Sequence, residues 1–315
     1  MHIPAIQKNI SLARRMHYRI GGKAHYFFEP QNARDIIAAI RWAFARNIPF
    51  LFVGAGTNML FSEAGYDGLL MQYTHRSIRR TADGVRVSAG TSMAAVVAYY
   101  TRQGFRDLAW AGGLPGTVGG AVFGNAGCFG GETKDGVISI ESIFYDHASG
   151  VIERRTRSAA ECAFAYRDSI FKQNGNEIIV SVLLRATRGD RNVIRKEVAH
   201  HIAHRKQSQP LMYPSAGSTF KNISVAMVSE HVKREFATSI KTDPFPVIPV
   251  ARMLDRLGLK GTRIGGAEIS TQHPNFFINR DHATSADIKA LIALAKRKAR
   301  RRYGVLLEEE IRIVP

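Results

Sequence analysis

Apolar residues near the start of the chain follow a helical period. They recur at intervals of three and four from Ile36 to Phe44, and Asn32 stands where an N-cap is expected. The apolar run IPFLFVG follows and ends in the glycine loop GAGTN. The pattern predicts a helix, a buried strand and a tight turn, in that order.

The same patterning predicts further elements along the chain. Strands are expected at 84–90, 136–146 and 177–186, and helices at 93–104 and about 192–206. The last helix should begin at Thr284 with a capping box, run to Arg302 and end at Gly304. The final segment, VLLEEEIRIVP, is predicted as a strand because EIRIV alternates with period two.

Composition limits the class of protein. The chain has 315 residues with 45% hydrophobic content, which is typical of one large or two ordinary globular domains. No run of about 18 apolar residues occurs, so no membrane span is expected. The first residues lack the apolar core of a signal peptide, and Cys128 and Cys162 are too few for a disulfide framework. These features favour the cytoplasm.

The formal net charge of +18 favours anionic partners such as phosphates, nucleotides or nucleic acid, although a basic, soluble surface explains it equally well. KRKARRR (296–302) suits a nucleic-acid patch, but cations at a helix C-terminus are also stabilised by the helix dipole, and we favour that interpretation. His200 and His204 lie one turn apart, as in metal-binding helices. No H-E-x-x-H pattern or third ligand accompanies them, so no metal is predicted.

Glycines concentrate in one stretch. Nine of the 28 glycines lie in GGLPGTVGGAVFGNAGCFGG (112–131), which indicates a backbone that closely approaches something bound. The earlier loop contains Gly54 and Gly56, but Met59 stands where the dinucleotide fingerprint needs its third glycine. The ordinary Rossmann motif is therefore excluded, and a turn whose amides cradle phosphate remains.

Eight motifs in a fixed order carry a specific resemblance over nearly the whole chain. They are YRIGGKAHYFFEP (18–30), VGAGTNML (53–60), GGLPGTVGGAVFGNAGCFGG (112–131), AYRDSIF (165–171), QPLMYPSAGSTFKN (209–222), GLKGTRIGGAEIS (258–270), HPNFFIN (273–279) and LLEEEIR (306–312). With these motifs the chain resembles the UDP-N-acetylenolpyruvoylglucosamine reductases, flavoenzymes of peptidoglycan precursor synthesis. The short PSAGST loop is similar to the compact second class of the family.

The resemblance implies an α+β fold. A two-lobed FAD-binding domain of the vanillyl-alcohol-oxidase type would occupy residues 1–190, and a smaller α+β substrate-binding domain would occupy 191–315, with a linker helix at about 192–206. Non-covalent FAD is expected against Gly54, Ala55, Gly56, Thr57, Asn58, Met59, Leu60, Gly113, Pro115, Gly116, Thr117, Gly119, Gly120, Ala121, Asn125 and Gly127. NADPH and a UDP-sugar nucleotide are the expected partners of a cytoplasmic monomer, with no nucleic acid and no membrane.

The resemblance also implies a two-stage hydride transfer, in which NADPH reduces the flavin before the enolpyruvyl sugar nucleotide binds in its place. Hydride then adds to the β-carbon of the enol ether, and a proton must reach the α-carbon. Ser218 would donate that proton, Arg167 would hold the carboxylate and stabilise the enolate, and Glu310 would assist protonation. Lys221 and Asn222 would bind the substrate.

Some of these residues also allow other interpretations. Ser218 suits a turn hydroxyl, and Arg167 could form a surface ion pair with Asp168. In a regular strand Glu308 and Glu310 would share one face, and Glu310 is preferred because it precedes the Ile-Arg pair as in the family.

The chain departs from the family pattern in its substrate domain. Ile223 replaces the usual proline after FKN, the segment from 223 to 244 is longer than expected, and His17 replaces a small hydroxyl residue. Two other functions stay open from the sequence. One is an oxidase of the same fold acting on another sugar or alcohol, where Cys128 would be a covalent flavin attachment point, although a buried, unreactive thiol is favoured. The other is a nucleic-acid-binding protein.

Overall fold

The computed structural model describes residues 5–315. Within them the chain forms α-helices and short 3₁₀ turns. The α-helices are α1 (Ala33–Phe44), α2 (Met93–Gln103), α3 (Val118–Phe123), α4 (Ile170–Asn174), α5 (Arg191–Ser208), α6 (Glu230–Phe236), α7 (Val250–Arg256) and α8 (Ser285–Tyr303).

The strands of the described residues are mostly short. They are β1 (Gln7–Ser11), β2 (Lys23–Phe28), β3 (Phe50–Val53), β4 (Met59–Phe61), β5 (Tyr66–Gln72), β6 (Ile78–Arg80), β7 (Val85–Ser88), β8 (Gly127–Cys128), β9 (Gly131–Glu132), β10 (Val137–Tyr145), β11 (Ile152–Ser158), β12 (Glu177–Leu184), β13 (Ser215–Ser218), β14 (Ile223–Ser224), β15 (Val247–Ile248), β16 (Arg263–Ile264), β17 (Ala267–Ile269), β18 (Phe276–Asn279) and β19 (Arg312–Val314).

The chain divides into two compact units, neither of which is continuous in sequence. Among the described residues, unit 1 comprises 5–10, 24–55 and 67–205, and unit 2 comprises 11–23, 56–66 and 206–315. Helix α5 belongs to unit 1 as far as Arg205. The compact units therefore do not follow the predicted boundary at residue 190, and that boundary stays a prediction.

Unit 1 contains two main sheets, besides the two-stranded pair of β8 with β9. The larger has the order β11-β10-β12-β7-β6 and is antiparallel throughout, and the smaller has the order β1-β2-β5-β3 with β3 and β5 parallel. Buried apolar side chains from α1, α2, α3 and both sheets form one core cluster. Burial of this apolar surface is the main term that stabilises the unit.

Unit 2 contains an antiparallel sheet of order β13-β18-β17-β16 and a parallel pair, β4 with β19. Its core combines residues from all three of its chain segments, including Tyr18, Leu60 and Phe277. The Tyr18 hydroxyl donates to the Phe277 carbonyl oxygen at 2.7 Å, which satisfies a phenol that is almost completely buried.

The elements with clear periodicity and caps are confirmed. Asn32 caps α1 by accepting hydrogen bonds from the backbone of Arg34 and Asp35. Helix α8 has the predicted capping box between Thr284 and Asp287, and Gly304 ends it with φ +68°. The strands at 84–90, 136–146 and 177–186 are β7, β10 and β12.

The prediction for the last segment is wrong in extent. Only Arg312–Val314 is a strand, and Glu308–Glu310 lie outside any regular ladder. Strand alternation therefore cannot tell which glutamates share a face, because irregular backbone contacts hold these residues in place. The longer segment after Asn222 is structured: β14 pairs with β15, and α6 buries Val232 and Phe236 in the core of unit 2.

Candidate active site

The two predicted flavin loops meet inside unit 1. A Cβ placed on Gly54 would lie 2.5 Å from Thr117 Oγ1, so only glycine fits at this approach. Thr117 caps α3, and its Oγ1 accepts a hydrogen bond from Gly120 N at 3.2 Å. A Cβ placed on Gly119 would lie 2.8 Å from Ala89 Cβ, and the Gly119 N–H donates to the Ala89 carbonyl oxygen at 2.9 Å. Part of the glycine content therefore serves close packing of the loops on each other and on Ala89.

The AYRDS turn is attached to the glycine-rich loop by three hydrogen bonds. Asn125 Nδ2 donates to Ala165 O at 3.0 Å, the Arg167 guanidinium donates to Gly127 O at 2.9 Å, and Ser169 Oγ donates to Phe123 O at 2.7 Å. Asn125 is completely buried, and its Oδ1 also accepts from a backbone amide. Its side chain is thus a structural link in this loop, and the turn holds Arg167 against the loop.

Arg167 itself has an unusual backbone conformation. Its φ is +57°, a left-handed value that costs free energy for a residue other than glycine. Asp168 is bonded within its own turn, where its carboxylate accepts from Ser169 N and Gln173 Nε2. The described residues therefore do not show the alternative Arg167–Asp168 ion pair.

In unit 2, residues 56–60 lead into β4. Gly56 packs against Met16, and the N–H groups of Gly56 and Thr57 have no protein acceptor among the described residues. Leu60 is completely buried in the core of unit 2, so its side chain is unavailable to a ligand. Consecutive free amides in a turn are the arrangement that binds phosphate oxygens.

Ser218 ends β13 and follows Gly217, whose φ is +76°. It pairs with Phe276 of β18. The next residue, Thr219, accepts a hydrogen bond from Glu310 N at 2.8 Å, and Asn58 Nδ2 donates to Glu310 O at 3.0 Å. Unit 2 thus places Ser218 and Glu310 on adjacent chain segments, with a third contact from the predicted phosphate loop.

The three consecutive glutamates have different partners. Glu308 forms an ion pair with Lys221, and Glu309 forms one with Lys296 at 2.5 Å. Glu310 is partly buried and is fixed through its backbone on both sides. Two of the three carboxylates are therefore engaged by lysines of the same unit.

The predicted substrate residues also have protein partners. Lys221 binds Glu308 through its ammonium and through its backbone N–H, which donates to Glu308 O at 2.9 Å. Asn222 Oδ1 accepts from Val250 N at 3.2 Å, at the start of α7. Both residues therefore have structural contacts beside any role in binding.

Two buried residues of unit 2 were missed by sequence reasoning. Asn275 is buried, and its side-chain amide bonds both backbone groups of Phe220. Thr219 is completely buried. A signal for Asn275 was present, since a polar residue inside the apolar run HPNFFIN must be hydrogen-bonded when it is buried.

His204 and Cys128, which were considered for metal binding and for covalent flavin attachment, both contact nearby side chains. The ring of His204 contacts Phe129, and no group of three metal-ligating side chains occurs within residues 5–315. The buried Arg205 guanidinium donates to Cys128 Sγ at 2.9 Å and to Gly112 O at 3.0 Å. Among the described helices, none has the length and hydrophobicity needed to cross a membrane.

Comparison with known proteins places this geometry in a family. Residues 209–314 match the family model of the UDP-N-acetylenolpyruvoylglucosamine reductase C-terminal domain, and residues 24–148 match an FAD binding domain. The UDP-N-acetylenolpyruvoylglucosamine reductase of Chloroflexus aggregans is 33% identical, over 98% of this chain and 97% of the relative. The chain belongs to the UDP-N-acetylenolpyruvoylglucosamine reductase family.

Other members of this reductase family agree. The reductase of Chloroflexus aurantiacus is 35% identical, over 96% of this chain and 95% of its own. The crystal structure of the reductase from Thermus caldophilus has a TM-score of 0.77 and 25% identity, and it covers 99% of this chain and 100% of that chain. The predicted family, the two-domain α+β fold with an FAD-binding domain, and the oxidoreductase class are confirmed.

Proposed function

We propose that this protein uses NADPH and non-covalently bound FAD to reduce UDP-N-acetylenolpyruvoylglucosamine to UDP-N-acetylmuramate. The full-length likeness to named reductases supports the reaction class. The observation that carries the proposal is the Thr219–Glu310 hydrogen bond, because it brings Ser218 and Glu310 to adjacent segments of unit 2. These are two of the three residues that the chemistry requires.

The glycine loops fit an FAD cofactor. Gly54, Ala55 and the stretch from Gly113 to Gly127 would pack against it, and the backbone N–H groups of Gly56 and Thr57 would bind its pyrophosphate. The close approach of Gly54 to Thr117 supports this assignment. It brings the two predicted flavin loops together at a point where a residue with a side chain would not fit. FAD, when bound, supplies hydride transfer between NADPH and the substrate.

Arg167 is assigned to the substrate carboxylate. A planar guanidinium binds a carboxylate through two parallel hydrogen bonds and stays charged at every relevant pH. Its strained φ and its attachment to the glycine-rich loop are typical of a side chain held in place for function. Fixed positive charge there would stabilise the enolate that develops as hydride is added.

Ser218 is assigned as proton donor to the α-carbon, with Glu310 assisting. A serine hydroxyl is a weak acid, so it donates only to a strongly basic acceptor such as an enolate. A β-strand end beside Gly217 gives the hydroxyl a defined position, and the fixed backbone of Glu310 does the same for its carboxyl group. Lys221 and Asn222 follow in the same segment and are assigned to substrate binding.

The other assignments complete the proposal. The enzyme would act as a cytoplasmic monomer in peptidoglycan precursor synthesis, with a UDP-sugar nucleotide and NADPH as its ligands. The family assignment favours this reductase over an oxidase of the same fold and over a nucleic-acid-binding protein.

Anaerobic stopped-flow absorbance of the purified protein tests the proposal. NADPH should bleach the visible flavin band, and the enolpyruvyl sugar nucleotide should then restore it in the absence of oxygen. Bleaching without recovery would contradict the proposed substrate but would still support the flavin site. Failure to isolate a yellow protein, or flavin that resists extraction by acid, would contradict non-covalent FAD.

Ser218→Ala separates the two stages. The variant should bind FAD and be reduced by NADPH as the wild type is. Recovery of the flavin band by the sugar nucleotide should slow by about 10²–10⁴, which is the usual contribution of a general acid. Ser215→Ala in the same strand is the matched control and should retain the wild-type rate. Equal rates for both variants would refute the assignment of Ser218.

A further inference from the structure

The side chain of Asn275 makes hydrogen bonds that a neighbouring strand would make in a regular sheet, two residues after Ser218. Its Oδ1 accepts from Phe220 N at 3.1 Å, its Nδ2 donates to Phe220 O at 2.8 Å, and its own carbonyl oxygen accepts from Thr219 N at 2.7 Å. The residue is buried, with 3% of its surface exposed. One side chain thus satisfies both backbone groups of a neighbouring residue, as a paired strand would.

The surrounding ladder is irregular, which makes this side chain necessary. The register of β13 against β18 shifts between Ser215 and Ser218, and Gly217 between them has φ +76°. Regular pairing therefore ends at the Ser218–Phe276 pair. Beyond that pair, the chain stays bound along this edge through Asn275.

The opposite edge of the same segment holds Glu310. Thr219 O accepts from Glu310 N at 2.8 Å, Phe220 pairs with Glu309 in an antiparallel bridge, and Lys221 N donates to Glu308 O at 2.9 Å. Residues 219–221 therefore lie between Asn275 on one edge and the three glutamates on the other. A shift of this segment would therefore change the position of Ser218 relative to Glu310.

We propose that Asn275 is a positioning residue for the proposed reaction, because its side-chain amide fixes the segment that sets Ser218 relative to Glu310. This inference rests on the proposed function. Without the amide, the buried Phe220 backbone loses a donor and an acceptor at once, and the segment relaxes to recover them. Displacements of about 1 Å at a catalytic group cost on the order of 10²-fold in rate.

Asn275→Ala, compared with Asn279→Ala, tests the inference. Asn279 is a matched control, since it ends β18, the strand that Asn275 directly precedes, and its amide also bonds backbone groups, those of Tyr18 and Ala283. In stopped flow, both variants should be reduced by NADPH as the wild type is. Only Asn275→Ala should slow recovery of the flavin band at saturating sugar nucleotide, by about 10–100-fold, with a larger solvent deuterium isotope effect.

A double-mutant cycle separates positioning from a general loss of stability. If Asn275 acts through Ser218, Asn275→Ala should add little to the effect of Ser218→Ala. If Asn275→Ala slows recovery of the flavin band as much in the Ser218→Ala variant as in the wild type, the inference is overturned. Wild-type recovery in a folded Asn275→Ala variant, or equal slowing in Asn279→Ala, would also overturn it.

Asn275→Asp keeps the test open if the alanine variant does not fold. The carboxylate still accepts from Phe220 N but has no donor for Phe220 O. Burial raises the pKa of a carboxyl group, so lower pH should protonate it and restore an O–H donor. The rate relative to wild type should therefore rise as the pH falls, and a flat ratio would overturn the inference. If the sugar nucleotide does not reoxidise even the wild type, the proposed function fails, and this inference fails with it.

Discussion

At the scale of single residues, Glu308, Glu309 and Glu310 show how neighbours in sequence acquire different environments. Lysines hold the first two carboxylates, and two backbone hydrogen bonds hold the third residue in place. Each ion pair keeps one partner in contact with solvent, and such a pair contributes about 0–1 kcal/mol, so either lysine contact is dispensable for folding. The backbone contacts of Glu310 instead fix the position of this residue in unit 2.

Glu310→Gln should slow recovery of the flavin band by about 10²-fold, because the amide keeps the shape of the side chain but has no exchangeable acidic proton or negative charge. Glu309→Gln is the matched control and should leave the rate unchanged while it removes the Lys296 ion pair. Stopped-flow traces of both variants, with NADPH reduction measured first, give the comparison. If Glu309→Gln is slow and Glu310→Gln is as fast as the wild type, the assignment of the role to Glu310 is wrong.

His273 is a partly buried residue whose protonation opposes folding. Its Nδ1 has no hydrogen-bond partner among residues 5–315, its ring contacts Phe276, and burial lowers its pKa to about 4. Lys241 and Lys260 lower the pKa further. Since the unfolded chain has the ordinary pKa of 6.5, the unfolded state binds more protons between these two values.

The free energy of unfolding should therefore fall as the pH drops from 6.5 towards 4, by up to about 3 kcal/mol from this residue. His273→Gln should flatten that part of the profile. His282→Asn, at a fully exposed histidine, should leave it as in the wild type. Denaturant unfolding at a series of pH values measures the slopes, and equal slopes in wild type and His273→Gln would contradict the burial argument.

At the scale of elements, α8 depends on its two ends. Thr284 N donates to Asp287 Oδ2 at 2.9 Å, and Thr284 Oγ1 accepts from Asp287 N at 3.1 Å. The hydrogen bond from the Thr284 backbone is the main cause that lowers the pKa of Asp287. The arginines of the last turn, 300–302, lie where the helix dipole favours cations.

Thr284→Ala should lower the free energy of unfolding by about 1 kcal/mol, the usual value of an N-cap hydroxyl. Thr284→Ser keeps the oxygen and is the control. Because the Asp287 pKa is lowered in the folded state, the contribution of its carboxylate is full above the ordinary pKa of 3.8 and is lost as the pH falls below it. Thermal melts of the three proteins at neutral and acid pH test both statements; equal melts at neutral pH would rule out the cap.

Sequence patterns predicted the elements that have their own local signals. Helices α1 and α8 carry caps and apolar periodicity, whereas β11 (IERRTRS) is a polar edge strand defined only by its pairing with β10. Motifs also made Ser218 and Glu310 candidates, which stay predictions, but the contacts of Asn275 join residues 55 positions apart and depend on the tertiary fold. The local sequence around Asn275 and Phe220 does not show that these two residues are hydrogen-bonded to each other.

At the scale of the whole molecule, the division into units does not follow the order of the chain. Unit 2 contains residues 11–23 and 56–66 as well as 206–315. The early segments supply Tyr18, Ile20 and Leu60 to its core, and β4 is the partner of β19. Full burial of such side chains is worth about 1.5–3 kcal/mol each, which is comparable in sum to the stability of a whole domain.

A fragment of residues 206–315 should therefore fail to fold alone. We expect no cooperative thermal transition and no dispersed amide signals in its NMR spectrum, although a family model matches almost all of it. The full chain, prepared in parallel, should show both. A cooperative melt of the fragment would mean that the early segments are dispensable for the core.

Synthesis on the ribosome therefore completes the two units at different times. All residues of unit 1 have been made once Arg205 has been added, so its core can form on the nascent chain. Residues 11–23 and 56–66 are among the first to be translated, yet they must wait for helices and strands encoded far downstream. Strand β19 is translated after every other element, and Glu310 only shortly before it. A ribosome that stalls late in the message would leave a nearly full-length chain in which unit 1 is complete and the last strand of unit 2 is missing.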